Sequence, residues 1–311
     1  MNSRIGLLSA LVVLQVVLVF IALFAPLSNE GDEGQLLSFA AEQADRLVIN
    51  DLQNEVEMAR LDDGWQVAGV PADADKVRET MDKLGSLNAP WPVATSASSA
   101  ARFEVASDNF QRRVRVYTGT DLLGELFLGT SPGYQQVHAR AADNDEIFSV
   151  ALSNYELGVS TDVWVDKAVL ASELAPIEVA LQHLPAGDAV SNTLTYGDEG
   201  WLYNGLAADQ DAAQNYANRF TTLRVLGLVK PALDAPPATA LARLTVSQGD
   251  AQRIMVVSRV GDEDEYQIAE GEGAAYRLAT YVAEQLLQTD AEFLPASSEA
   301  EAVAEIATDS E

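Results

Sequence analysis

A short pattern recurs in this chain at one fixed spacing, and the recurrence limits the fold more than any other feature. Asp62-Asp63-Gly64-Trp65 reads like Asp198-Glu199-Gly200-Trp201, 136 positions later. Without a gap, the same offset carries Ala72-Asp73-Ala74-Asp75 onto Ala208-Asp209-Gln210-Asp211, Leu84 onto Phe220 and Leu87 onto Leu223. After a small deletion, Arg113-Val114-Arg115-Val116 lies over Arg243-Leu244-Thr245-Val246, and Gly119 over Gly249. A spacing of this size points to duplication, or at least to two copies of one supersecondary plan. The 311-residue length suits about two domains.

Local chemistry says what one copy contains. Leu47-Val48-Ile49, then Val56 and Met58, predict a strand pair closed at the Gly-Trp turn, with Trp65 and Val67 on another short strand. An acidic pair follows, Asp73 or Asp75 in the first copy and Asp209 or Asp211 in the second. These residues supply an N-cap and favourable charge for a helix. Val77, Met81, Leu84 and Leu87 form one apolar stripe, and Tyr216, Phe220, Leu223 and Leu226 form its counterpart. Alternating strands come next, with tight turns at Thr118-Gly119-Thr120 and Gln248-Gly249-Asp250. A second helix is expected to close each copy, most clearly over Tyr276–Gln288. Ala89–Ala101 reads as a surface loop, with Pro231–Pro237 as its shorter counterpart. The expected fold class is α+β: one N-terminal transmembrane helix, then two tandem repeats of a mainly antiparallel sheet with packed helices.

The expected division is 1–33 for a cytoplasmic tip, anchor and linker, 34–172 and 173–294 for the two repeats, and 295–311 for an acidic disordered tail. The anchor expectation rests on Ile5 to Leu27, 23 residues without a charge and with Ser9 and Gln15 as the clearly polar ones. At about 1.5 Å per residue such a helix reaches roughly 34 Å, enough for a hydrocarbon core of about 30 Å. Arg4 on one side and Glu30, Asp32 and Glu33 on the other orient it with the N-terminus in the cytoplasm and the bulk of the chain periplasmic. A cleaved signal peptide is the rival. Its apolar region is usually shorter, and Leu23-Phe24-Ala25 is a poor cleavage site.

Charge and composition remove whole classes of function. With 47 acidic and 19 basic residues the formal net charge is −28, which repels nucleic-acid backbones. An apolar fraction of 48% is enough for a buried core. Cysteine is absent, so there are no disulfides, thiolate metal sites or cysteine nucleophiles. His138 and His183 lie in different copies with no partner at ligand spacing, and a zinc site needs three or four ligands. There is no Gly-x-Ser-x-Gly elbow, no Walker A sequence and no dinucleotide fingerprint; Gly271-Glu272-Gly273 lacks the third glycine. Asp143-Asn144-Asp145-Glu146 and Asp262-Glu263-Asp264-Glu265 lack the twelve-residue calcium loop and read as solvated turns. Arg112, Arg113 and Arg115 either grip an anion or balance local carboxylates, and Trp65 and Trp201 either bind a partner or anchor the core beside a turn. No catalytic, cofactor or metal residue is assigned, and no nucleotide or other cofactor is expected.

Taken in order, several weak motifs carry a resemblance. They are the Gly-Trp turn, the Ala-Asp helix start, a strand pair ending in Leu128-Gly129, then Val137–Arg140, and Trp164-Val165-Asp166-Lys167 with Leu170. With the N-terminal apolar stretch and the duplication they resemble the domain-of-unknown-function 4340 family over about Phe39 to Leu294. The resemblance implies a bacterial envelope protein, often encoded beside an ABC-type ATPase, a permease and an auxiliary subunit similar to those of gliding-motility systems. It brings no catalytic residues. The expected function is therefore a non-enzymatic accessory or scaffold subunit in the inner membrane, with the permease and auxiliary subunit as partners. The alternatives are a membrane-tethered binding module for glycan or peptide, using the cleft between the copies, and an envelope hydrolase.

Overall fold

A computed structural model describes residues 36–88, 91–184, 191–230, 237–249, 251–261, 264–288 and 293–294. The first half runs β1 (Arg46–Asn50), β2 (Glu55–Leu61), β3 (Gly64–Val67), β4 (Val70–Pro71), α1 (Ala74–Gly85), α2 (Ala97–Phe103), β5 (Val105–Ala106) and β6 (Asn109–Phe110). It continues through β7 (Arg112–Thr118), β8 (Asp121–Leu128), β9 (Val137–Ala141), β10 (Phe148–Val150) and α3 (Thr161–Trp164). The second half runs β11 (Glu178–His183), β12 (Ser191–Gly197), β13 (Gly200–Tyr203), β14 (Leu206–Ala207), α4 (Gln210–Thr221), β15 (Gly227–Leu228) and β16 (Ala238–Gln248). It ends with β17 (Ala251–Val260), β18 (Glu265–Glu270), β19 (Ala275–Leu278) and α5 (Thr280–Leu286).

The strands form two large antiparallel sheets and one small one. The first large sheet has the order β10-β9-β8-β7-β1-β2-β3-β4. The second has the order β14-β13-β12-β11-β16-β17-β18-β19-β15. Read from β4 and from β14, the two orders coincide strand for strand until β15, which is added at the far edge of the second. The turns coincide too. Gly64 and Gly200 have φ of 110° and 89°, and both Ala68-Gly69 and Asn204-Gly205 have positive φ at successive residues. That pair of left-handed residues is what a two-residue hairpin requires. α1 and α4 both start at an aspartate cap: Asp73 accepts from the Lys76 amide at 3.0 Å, and Asp209 from the Ala212 amide at 2.9 Å.

Alternation places one set of side chains inward. Leu47, Ile49, Met58, Val114, Val116, Leu126 and Leu128 are buried on the first sheet, and Val77, Met81 and Leu84 of α1 pack over them. Tyr216, Phe220 and Ala217 of α4 do the same on the second sheet. The two sets belong to one continuous apolar cluster. The hairpin β5-β6, α2, Phe127 and Ile147 make a small separate core. Arg140, itself buried, ties that core down by donating from Nε to the Val105 carbonyl at 2.8 Å and from Nη1 to the Asn144 carbonyl at 3.1 Å. Its guanidinium stacks 4.9 Å from the Phe127 ring.

Two expectations are corrected. The fold is mostly antiparallel sheet rather than α+β. The helix expected over Tyr276–Gln288 is the strand β19 followed by the short α5, and the first half closes on only the four residues of α3. Conversely, most of α2 lies in the segment expected to be loop. The transmembrane helix, and with it the single-pass membrane reading, is not supported either: among the described residues no helix is long and apolar enough to cross a membrane. The longest, α1 and α4, have 12 residues each, a reach of about 18 Å against a hydrocarbon thickness of about 30 Å, and each carries a polar face. Residues 5–27, where the span was expected, and the tail 295–311 lie outside the described residues.

Candidate functional site

A densely bonded polar constellation lies where the two halves meet. The segment after β10 crosses from the first sheet to the second and is held from both sides. On the first side, Asp73 donates its backbone amide to the Trp164 carbonyl at 2.8 Å, and Lys76 Nζ donates to the Val163 carbonyl at 2.9 Å while lying 5.0 Å over the Trp164 ring. The Trp164 indole donates to the Gly158 carbonyl at 2.7 Å. On the second side, Lys167 Nζ donates to both the Asp162 and Leu226 carbonyls, and the Val225 amide donates to the Lys167 carbonyl at 2.9 Å. Asp162 accepts from the Leu228 amide at 3.2 Å and forms an ion pair with Arg277.

Packing at this junction is tight. A Cβ at Gly227 would fall 2.1 Å from Asp162 Oδ1 and 3.0 Å from Arg277 Nη2, so a side chain there would push the ion pair aside. Burial disfavours the charged forms of Lys76 and Lys167 and lowers the pKa of both below 10.5, against the attraction of Asp73 and of Asp162 respectively. Beside the junction runs an open groove of about 510 Å³ lined by Asp162, Leu226, Leu228, Tyr266 and Arg277 among others. The same plan recurs at the end of the second half. There the Asp209 amide donates to the Phe293 carbonyl at 2.9 Å, and Phe293 packs on Tyr203 and Tyr216 as Trp164 packs under α1.

The residues singled out in the sequence fall elsewhere. Arg113 pairs with Glu125, Arg115 with Glu55 at 2.7 Å, and Arg112 lies 3.9 Å from Asp51, so the three arginines are balanced by neighbouring carboxylates. His138 is buried, with Nδ1 2.8 Å from Thr130 Oγ1 and its ring 4.4 Å from Phe103; desolvation lowers its pKa below 6.5. Trp201 is buried in the core beside its turn, and Trp65 is half-buried with Arg60 5.5 Å over its ring. Asp143–Glu146 lie in an exposed turn in which Asn144 accepts from the Glu146 amide at 3.0 Å. Among the described residues no group of three or more histidine, cysteine or acidic side chains is placed to hold a metal ion. The junction residues Asp162, Lys167 and Arg277 were not assigned in the sequence. Their one signal was Trp164-Val165-Asp166-Lys167, which contains Lys167 without revealing what it bonds.

The sequence pattern of a family described as a domain of unknown function (DUF4340) matches residues 65–243. The chain belongs to this family. The DUF4340 match starts in β3 and ends in β16, so it takes in the junction residues other than Arg277 and part of each large sheet. No curated protein and no solved structure matches the chain.

Proposed function

We propose that the protein is a non-enzymatic accessory subunit of a cell-envelope ABC-type transport complex, whose two fused sheets act as a scaffold for the other components. The junction is the observation that carries this reading. A segment bonded to both halves, over a continuous core, makes the two sheets one body with a broad surface, and such a body suits bridging better than turnover. The resemblance to envelope proteins encoded beside an ATPase, a permease and an auxiliary subunit supports these as the partners. Affinity purification of the tagged full-length chain from native membranes in mild detergent, with mass spectrometry of the co-purifying proteins, tests the reading. An ATPase and a permease should be recovered in constant proportion to the chain. A chain that runs alone, or that brings neither, overturns it.

The groove beside the junction favours a second reading, an extracytoplasmic binding module for glycan or peptide. Its apolar walls and its Asp162–Arg277 pair would accept a partly polar chain. Thermal shift of the purified protein against peptides and oligosaccharides tests this reading: a rise in melting temperature that Arg277→Ala abolishes supports it, and no rise with any of them overturns it.

A further inference from the structure

Away from the junction, the first half carries a second cavity of about 340 Å³, lined by Gln111, Arg112, Ser131, Gln135, Asn154 and Tyr155 among others. In a chain with 47 acidic residues, this lining holds no carboxylate. Amides and hydroxyls predominate, and they are held in place. Asn154 Nδ2 donates to Gln111 Oε1 at 2.7 Å and to the Gly129 carbonyl at 2.9 Å, which fixes which end of the amide is oxygen. Gln111 is fixed in turn by donating from Nε2 to Glu104 at 2.6 Å. The loop opposite is pinned by Ser131 Oγ, whose one proton is shared between the Gly133 and Gln136 carbonyls at 2.7 and 2.6 Å, and its Gln135 sits in the left-handed region at φ 51°.

One feature beside Asn154 is unexplained by packing. Tyr155, the next residue, is 95% exposed, and Tyr134, one position before Gln135, is 89% exposed. Charge narrows the ligand. Arg112 is already engaged, Nε with the Leu157 carbonyl at 2.9 Å and Nη1 with the Gln111 carbonyl at 2.6 Å, with Asp51 nearby. An anion therefore finds no free cation, and a cation finds no carboxylate. What fits is a neutral molecule with several hydroxyls, each able to donate and accept, and a flat face to lie on an aromatic ring.

We propose that this cavity binds a neutral saccharide of one or two rings, with its hydroxyls bonded to the amide and hydroxyl side chains of the lining and a sugar face stacked on Tyr155. The volume is at the small end of the roughly 300–1,000 Å³ typical of ligand sites, which sets the ring count. The site lies within the first half and is separate from the junction groove, so it stands whether or not the scaffold reading holds. The test uses the full chain in titration calorimetry and saturation-transfer NMR with glucose, mannose, galactose and N-acetylglucosamine and their disaccharides at millimolar concentration. At least one should bind, and Tyr155→Ala should weaken it by about ten-fold while Tyr155→Phe keeps it. The melting temperature of both variants should stay that of the parent, because the ring is exposed. Three results overturn the proposal: no saccharide binds, binding survives Tyr155→Ala intact, or short unstructured peptides bind with Tyr155 dependence while saccharides do not.

Discussion

Single residues show how little freedom the chain has at its closest contacts. At Gly129 an added Cβ would fall 1.9 Å from the Phe103 carbonyl oxygen and 2.5 Å from that of Glu104, where the end of α2 lies on β8. Both obstacles are backbone and cannot turn aside. Gly129→Ala is expected to cost about 3 kcal/mol or more, read as a lower urea midpoint, with α2 and the β5-β6 hairpin becoming the first site of proteolysis. His138 sets a pH effect. Its folded pKa is depressed by burial, so the folded state declines a proton that the unfolded state accepts near 6.5. Its contribution is complete above that value and is lost as pH falls through the folded one. The urea midpoint should drop as pH falls below about 6.5, and His138→Gln should flatten this part of the profile. A second fall begins below 4.5, where protonation of Glu270 breaks its hydrogen bonds to Arg253; these bonds hold the Glu270 pKa below that value.

At the scale of the element, the two twelve-residue helices test whether equal sequence positions do equal work. Both have an aspartate cap, a second aspartate in the first turn and a basic residue in the last turn, so cap and dipole act together at each end. Asp73→Ala and Asp209→Ala should each cost about 1 kcal/mol. The caps belong to different helices on different sheets, so the double variant should cost about the sum. Denaturant midpoints at unchanged slope measure this; a strongly non-additive pair would mean that the two helices are coupled through the core between them. These two helices and the Gly-Trp turns before them were legible in the sequence. The closing segments were not. Ala275–Leu278 has apolar residues at Tyr276 and Leu278, a spacing that suits a strand edge as well as the start of a helix. Pairing with β18 on one side and β15 on the other makes it a strand. In the Pro-, Ser- and Ala-rich stretch, α2 was hidden because its core partners Val105, Phe110 and Phe127 come later in the chain.

For the whole molecule, the junction decides whether the halves behave as one body. Lys167 bonds to a carbonyl of each half, Asp162 in the first and Leu226 in the second, so its removal leaves two carbonyls without their donor. Calorimetry of the parent chain should show a single cooperative transition. Lys167→Met combined with Arg277→Ala, which also removes the ion pair of Asp162, should split or broaden it while each half keeps its sheet. An unsplit transition at the parent temperature would mean that the apolar cluster alone holds the halves together, and would weaken the scaffold reading that rests on the junction.

By itself, the sequence determined what depends on neighbours a few positions away. The aspartate caps act on amides three residues on, Gly64 and Gly200 supply positive φ at their own turns, and the stripes of α1 and α4 follow from the helical period. Strand alternation gave the antiparallel ribbon in the same way, because side chains on a strand alternate faces. Only the tertiary structure decided what depends on distant partners. Asp162 meets Arg277 across 115 positions and Lys76 meets Val163 across 87, and Asn154 meets Gln111 across 43. None of these residues belongs to a local pattern. A short amphipathic segment can satisfy its backbone as helix or as strand at similar cost, and the choice falls to whichever neighbouring strand offers its unpaired amides and carbonyls.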